Sequence, residues 1–234
     1  MSNNSKTEEN ELKEIEKELE PEYSQINKEL KPLLRRILNP IDKRRSEIIQ
    51  LKENAKEWYG RFVVAVTIGG KVSSLQKLIT KKEDPQIVST LKLFQYLGLV
   101  ESIGTTIVDM LVLLLIADGK HFHVERSHEL PRIVHAKNFK DLDSPNSSLS
   151  EKLNFLDNNG LKSTSKICDR ILRNDIAHLN FDIDKQGKIS TKHCKELDVD
   201  KKLNHFDKSF MGFVHVLTNT GFVDFLNRAI KEGK

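Results

Sequence analysis

Apolar residues recur along most of the chain at intervals of three and four, the spacing that places side chains on one face of an α-helix. An alternating pattern is confined to residues 181–192, where Phe181, Ile183 and Ile189 flank the polar turn 185–188. Alternation of this kind around a glycine-containing turn is typical of a β-hairpin. The chain is therefore predicted to be all-α, a helical bundle with at most one small β-hairpin, near residues 181–192.

The first 84 residues are predicted to form an N-terminal helical extension, followed by a helical domain over residues 85–234. A heptad-like seam of apolar positions runs through the extension: Leu12, Ile15, Leu19, Tyr23, Ile26, Leu30, Leu33 and Ile37. Pro21 and Pro32 interrupt it and favour two or three shorter helices over one rod. Such a seam is typical of an arm that dimerises or binds a partner protein, and equally of an amphipathic hairpin that packs on its own domain.

A long central helix is predicted from about Gln86 to Ala117. Asp84 can cap its start and Pro85 suits the first helical position. The apolar run 107–117 is shorter than the ~20 residues of a membrane span, so the helix is expected to be buried and not membrane-embedded.

Two carboxylates, Glu101 and Asp109, lie nearly on one face of this helix. A buried carboxylate needs a cationic or hydrogen-bonding partner, and Arg173 is proposed as the partner of one of them. The alternative is that both lie at the rim and meet lysine or solvent.

A third amphipathic segment begins at Ser165, with Ser163 or Ser165 as its cap. Its apolar stripe comprises Cys168, Leu172, Ile176 and Leu179, with Ile171 at the edge. Its other side carries Arg170, Arg173, Asn174 and His178. Asn174 and His178 are four residues apart and thus share a face, while the long side chain of Arg173 can reach toward the imidazole.

The run from Arg173 to His178 resembles the signature of the HEPN superfamily, an arginine separated by four to six residues from a histidine, often with a polar residue such as Asn174 after the arginine. The resemblance covers about residues 86–232 and implies a helical, metal-independent RNA endonuclease of a toxin or defence type that works as a homodimer. It also allows an inert, HEPN-like binding protein. Toxins of this family often carry tyrosine two residues after the histidine, where this chain has Asn180.

The chemistry of these residue types fits RNA cleavage through the 2′-hydroxyl. Histidine transfers protons near neutral pH, so His178 is the expected acid or base. The guanidinium of Arg173 would stabilise the anionic transition state and Asn174 would position the phosphate. Supporting roles are assigned to four neighbours: Asp175, Arg170, Glu101 and Asp109. The structural alternative is a salt bridge between Asp169 and Arg173, with His178 capping the helix.

A final helix, about residues 203–230, carries a phenylalanine-rich stripe that is predicted to be core or a dimer face. The densest basic cluster comprises Arg35, Arg36, Lys43, Arg44 and Arg45, and is either a phosphate contact or a solvated face. The net charge of +4 is compatible with an RNA partner without requiring one.

The two isolated cysteines and the polar N-terminus favour a reducing, cytoplasmic environment. His121, His123, His128 and His135 are interpreted as surface or partly packed histidines, so neither a metal nor another cofactor is expected.

Overall fold

The computed structural model describes residues 3–39, 50–79, 84–124, 132–143 and 147–232, and for residues 3–20, 73, 76 and 77 it describes the backbone alone. Mainly α-helical structure is confirmed. The helices include α1 Asn3–Leu38, α2 Ala55–Ile79, α3 Pro85–Leu99, α4 Thr105–Ala117, α5 Leu149–Asn158, α6 Lys162–Ser165, α7 Arg170–Ala177, α8 Val199–Asn219 and α9 Phe222–Glu232, and residues 50–53 are also helical. The strands are β1 Phe122–Val124, β2 Arg132–Val134, β3 Phe181–Ile183, β4 Ile189–Thr191 and β5 Cys194–Leu197. A short 3-10 helix spans Phe139–Leu142.

The N-terminal seam forms one continuous helix, so the predicted division into shorter helices is wrong. Both Pro21 and Pro32 lie inside α1. The cost of a proline within a helix, about 3 kcal/mol, is offset by burial, since the C-terminal half of α1 packs along α8. Five of its side chains are almost fully buried: Ile26, Leu30, Leu33, Leu34 and Ile37. This half therefore packs on the chain's own core, which is one of the two alternatives that the seam left open.

The central helix begins and ends where the sequence predicts. The Asp84 carboxylate accepts hydrogen bonds from the backbone N–H groups of Gln86 and Ile87, and Pro85 occupies the first turn. Between α3 and α4 the helix contains a π-helical turn, Val100–Gly104, and it ends at Asp118 and Gly119. By length and composition the segment Pro85–Ala117 could cross a membrane, but 72% of its most apolar window is buried inside the protein. It is the central core helix.

Two small antiparallel sheets are present, so the expectation of one hairpin at most is wrong. The predicted hairpin over residues 181–192 is found as β3 and β4, and β5 adds a third strand beyond it. The pair β1–β2 joins residues 122–124 to 132–134. These strands have only three or four residues each, too few for alternation to reveal them.

The phenylalanine-rich segment is two helices rather than one. Gly221 adopts φ +77° between α8 and α9, a left-handed conformation that ends the first helix at low cost. Its aromatic side chains, including Phe206, Phe213 and Phe222, are buried. Buried residues before and after residue 84 belong to one hydrophobic core, and the division at this residue stays a prediction. Three members of the basic cluster, Lys43, Arg44 and Arg45, lie outside the described residues.

Candidate functional site

The motif helix α7 is shorter than predicted and starts later. Its cap is Asp169, whose Oδ1 accepts a hydrogen bond from the Leu172 backbone N–H at 3.0 Å, so the predicted serine caps are wrong. Ser163 instead donates its backbone N–H to Glu29 of α1, while Ser165 lies at the end of α6. This arrangement opens α7 with the Arg170 side chain at its first position.

The predicted apolar stripe is correct for its first three members. Cys168, Leu172 and Ile176 are buried, but Leu179 is 68% exposed and Ile171 is 51% exposed. Leu179 leaves the stripe because the helix has already ended, with His178 as its C-cap. Asn180 N–H donates to Asp175 O at 2.7 Å and Leu179 N–H donates to Ile176 O at 3.1 Å, the two hydrogen bonds of a Schellman motif.

Leu179 occupies the position of this motif that glycine normally fills. Its φ of +56° is left-handed, a conformation that costs an L-residue with a side chain roughly 1–2 kcal/mol. Because the side chain is mostly exposed, little buried surface offsets this cost. The strained residue directly follows His178 and helps to fix the direction in which the chain leaves α7.

Leu179→Gly should therefore stabilise the protein. We expect the free energy of unfolding in urea to rise by about 0.5–1 kcal/mol, since the strain relieved exceeds the extra backbone entropy of glycine in the unfolded chain. Leu179→Ala removes the same side chain but keeps the strained conformation, and should leave stability within about 0.5 kcal/mol of wild type. Equal effects of the two substitutions would show that side-chain exposure, and not backbone strain, governs this position.

Arg173 is held by two acceptors on either side of its guanidinium. Nε–H donates to Glu101 in the π-helical turn, and Nη1–H donates to Asn174 Oδ1 at 2.9 Å. The proposed pairing of Arg173 with one of the central-helix carboxylates is thus confirmed for Glu101. An arginine has five N–H donors, so these two contacts leave three for an anionic ligand.

The π-helical turn places Glu101 opposite α7. A π-turn adds a residue to one turn of the helix and so rotates the side chains that follow, and such turns recur at functional sites. At Gly104, the end of this turn, an added Cβ would lie 2.6 Å from Cys168 Sγ. Only glycine allows this close approach between the central helix and the segment leading into α7.

Arg170, Asn174 and His178 form a polar row along the outside of α7. They are spaced at i, i+4 and i+8 and span about 12 Å of helix. All three side chains are exposed, and Arg170 donates to Ser150 Oγ. Within the described part of the chain, the His178 imidazole makes no hydrogen bond, so both its nitrogens are open to solvent or ligand. The alternative pairing of Asp169 with Arg173 is wrong, since Asp169 binds Lys202 at 2.7 Å.

Asp109 is placed apart from this row. Its carboxylate forms an ion pair of 2.7 Å with Lys152 of α5, and each side chain is only 10% exposed. Burial raises the pKa of Asp109, although Lys152 opposes the shift. None of the ion pairs or hydrogen bonds found among the described residues joins it to α7, so the structure gives Asp109 a place in the core.

A residue that the sequence did not single out, His193, binds the motif helix. Its Nδ1 lies 3.0 Å from both carboxylate oxygens of Asp175, whose side chain is 3% exposed. Burial opposes ionisation of Asp175, but hydrogen bonds from His193 and Thr191 outweigh it and lower the pKa of the carboxyl. The predicted hairpin offered a signal, because pairing Phe181 with Thr191 brings residue 193 back beside the end of α7.

A cavity of about 600 Å³ opens at the N-terminal end of α7. Its lining combines one aromatic ring with cationic and anionic side chains: Tyr96, Lys166, Asp169, Arg170, Lys202 and His205. Burial disfavours ionised Asp169, yet the Lys202 ammonium and the Leu172 N–H lower the pKa of this carboxyl. Arg170 belongs both to the cavity and to the polar row, so the two surfaces are continuous.

Comparisons of the chain with models of known protein families, with curated proteins and with solved structures gave no match. The likeness to the HEPN superfamily therefore rests on the motif and its helical setting. A fold alone does not determine a function, so the side chains of the site carry the functional information.

Thiol and metal chemistry find little support in the described residues. Burial raises the pKa of the Cys168 thiol to about 12, which keeps it protonated and unreactive at neutral pH. His121, His123 and His135 are exposed, as expected, and His128 lies outside the described residues. Within the described ranges, no three histidine, cysteine, aspartate or glutamate side chains come together as a group that could hold a metal ion.

Proposed function

We propose that this protein is a HEPN-like endoribonuclease that cleaves single-stranded RNA by activating its 2′-hydroxyl. The observation that carries the proposal is the exposed His178 imidazole at the end of a helix that also presents Arg173 and Asn174. Three guanidinium N–H groups remain available to phosphoryl oxygens that gain negative charge in the transition state. The chemistry needs proton transfer and charge stabilisation, and these side chains supply both without a metal.

The surface around the motif helix suits an RNA strand. The cavity at the start of α7 is lined by the cations Lys166, Arg170 and Lys202 and by the carboxylates Asp157 and Asp169. It therefore keeps a small excess of positive charge that would attract the phosphate backbone of a bound strand. From this cavity the polar row leads to His178. A strand lying along the row would place one phosphate at the imidazole and its neighbours beside the cavity.

An inert, HEPN-like interaction protein is the second candidate. It is favoured by the pairing of Arg173 with Glu101, since a carboxylate on the guanidinium weakens its attraction for phosphate. The pair is partly exposed, with side-chain exposures of 30% and 41%, so solvent screens this effect. A homodimer, an N-terminal protein partner and a cytoplasmic location stay predictions from the sequence.

The purified protein should cut single-stranded RNA in EDTA and leave single-stranded DNA of the same sequence intact, because DNA lacks the 2′-hydroxyl. The products should carry a 2′,3′-cyclic phosphate and a 5′-hydroxyl, as mass spectrometry of a short oligonucleotide can show. Cleavage of DNA, or 5′-phosphate products, would mean that water or another nucleophile attacks and would refute this mechanism. Binding of RNA without cleavage would support the interaction protein instead.

A further inference from the structure

A second imidazole is fixed at the same end of the motif helix as His178. Asp175 lies three residues before His178 and binds His193 through both carboxylate oxygens, each 3.0 Å from Nδ1. Two residues after His178, Asn180 O accepts a hydrogen bond from Lys192 N–H at 3.1 Å. The turn that carries His193 is thus fastened to the chain on both sides of His178.

The carboxylate of Asp175 dictates how the His193 ring is used. Ionised and almost completely buried, it can only accept, so the proton of the neutral ring belongs on Nδ1. The backbone N–H of His193 donates to Thr191 Oγ1 at 3.2 Å and fixes the turn further. Nε2 then carries the lone pair, and it makes no hydrogen bond to another described residue. The ring is 52% exposed, which leaves this nitrogen accessible.

We propose that His193, oriented by Asp175, is the general base of the RNA cleavage proposed above, and that His178 is its general acid. A carboxylate that holds the distal nitrogen of an imidazole fixes the tautomer and stabilises the imidazolium that forms when Nε2 takes a proton. His178 has no such carboxylate among the described residues, so it can approach the leaving group as the free partner. One chain would then supply both proton-transfer groups.

The reaction balances with these two groups. The 2′-hydroxyl proton passes to His193 Nε2 while the 2′-oxygen forms a bond to phosphorus. The bond between phosphorus and the 5′-oxygen breaks, and protonated His178 gives its proton to that oxygen. The products are the 2′,3′-cyclic phosphate and a 5′-hydroxyl, with no oxidant, reductant or further reactant. Arg173 holds the phosphoryl oxygens as their charge increases.

The substitution His193→Asn tests the base while preserving the buried carboxylate contact. The asparagine amide can donate to Asp175 from nearly the position of Nδ1, but it cannot take up a proton at neutral pH. We expect cleavage of an RNA oligonucleotide to fall by roughly 10²-fold, the scale for losing a proton-transfer group. His121→Asn, the same change at an exposed histidine before β1, is the matched control and should cleave like wild type.

A substrate with a good leaving group separates the two roles. In uridine 3′-(4-nitrophenyl phosphate) the departing nitrophenolate needs no proton, so only the base remains essential. The cleavage rate of His178→Ala on this substrate should be within about tenfold of wild type, whereas His193→Asn should stay roughly 10²-fold slower than wild type on both substrates. Thermal melting of each variant confirms that it is folded at the assay temperature.

The possible results of these assays distinguish the proposed ribonuclease activity from the proposed roles of His193 and His178. If wild type and His193→Asn cleave RNA at equal rates, the proposed function stands and the role of His193 is refuted. If the cleavage rate of His193→Asn, and not that of His178→Ala, returns toward wild type on the nitrophenyl substrate, the assignment is also refuted. That result would make His193 the acid and His178 the base. If both variants stay roughly 10²-fold slower than wild type on the nitrophenyl substrate, the role of His178 as general acid is contradicted. If folded wild type cleaves neither substrate, the ribonuclease proposal itself fails and the base role falls with it.

Discussion

Lys152→Met should lower the free energy of unfolding by about 3–5 kcal/mol, the scale for removing one partner of a buried ion pair. Lys152 and Asp109 are each only 10% exposed, with Nζ and Oδ1 2.7 Å apart. The substitution keeps the apolar stem and removes the ammonium, so the Asp109 carboxylate is left among buried residues of α4 without its counter-ion. For a chain of this length the melting temperature should fall by roughly 10 °C.

The destabilisation of Lys152→Met should depend on pH. Burial already raises the pKa of Asp109 in the folded protein, and the loss of Lys152 removes a group that lowers it. Between the ordinary carboxyl range and this raised pKa, the folded state therefore binds more protons than the unfolded state. Stability contributed by the protonated carboxyl is present at low pH and lost as pH rises through the folded pKa. The loss in Lys152→Met relative to wild type should thus be smaller under acidic than under neutral conditions.

Two further variants isolate the buried pair as the cause. Lys52→Met makes the same change in an exposed ion pair, where Lys52 and Glu232 are 3.6 Å apart, and should cost no more than about 1 kcal/mol. Adding Asp109→Asn to Lys152→Met removes the unpaired charge and should recover much of the loss. Equal melting temperatures for Lys52→Met and Lys152→Met would contradict the importance of burial.

Local signals predicted the central helix well because they operate within a few residues of sequence. The Asp84 carboxylate caps α3 by accepting hydrogen bonds from the backbone N–H groups of Gln86 and Ile87, and Pro85 fits the first turn. Gly119, with a φ of +83°, follows the end of α4 at Ala117, where the sequence predicts that the central helix stops. None of these features depends on distant parts of the chain.

Local signals could not predict contacts between residues that are distant in the sequence. Pro21 and Pro32 argue locally against a continuous α1, and only the packing of α1 on α8 overrides them. Glu101, the partner of Arg173, lies 72 residues away in a π-helical turn, and the spacing of apolar residues does not predict such a turn. The sequence still predicted that a carboxylate of the central helix has a cationic partner, because an acidic residue on an apolar helix requires one.

The sequence predicted the residues of the candidate site that lie on the motif helix, but not His193, which lies outside it. Arg173, Asn174 and His178 share one short helix, so helical spacing suffices to bring them together. His193 reaches the same place through the β3–β4 pairing and its hydrogen bonds to Asp175, 18 residues earlier. A single histidine in a polar stretch carries no pattern of its own, and only the predicted hairpin indicated that residue 193 returns beside α7.

Arg173→Ala and His178→Ala should each lower the rate of RNA cleavage by roughly 10²-fold, through loss of charge stabilisation and of proton transfer respectively. His178 is exposed and makes no side-chain hydrogen bond to the described residues, so its removal should leave the melting temperature nearly unchanged. Arg173→Ala breaks a partly exposed pair with Glu101 and should cost about 1 kcal/mol or less.

The matched control for Arg173 is Arg61→Ala, which breaks an Arg–Glu pair of α2 in which Arg61 and Glu57 are 3.0 Å apart. Arg61 also lies 4.1 Å above the Phe139 ring, so this variant should lose at least as much stability as Arg173→Ala. We nevertheless expect it to cleave RNA at the wild-type rate. A preparation in which wild type, Arg61→Ala, Arg173→Ala and His178→Ala cleave equally would assign the activity to a contaminant. A loss of cleavage that follows unfolding would instead make Arg173 and His178 structural residues.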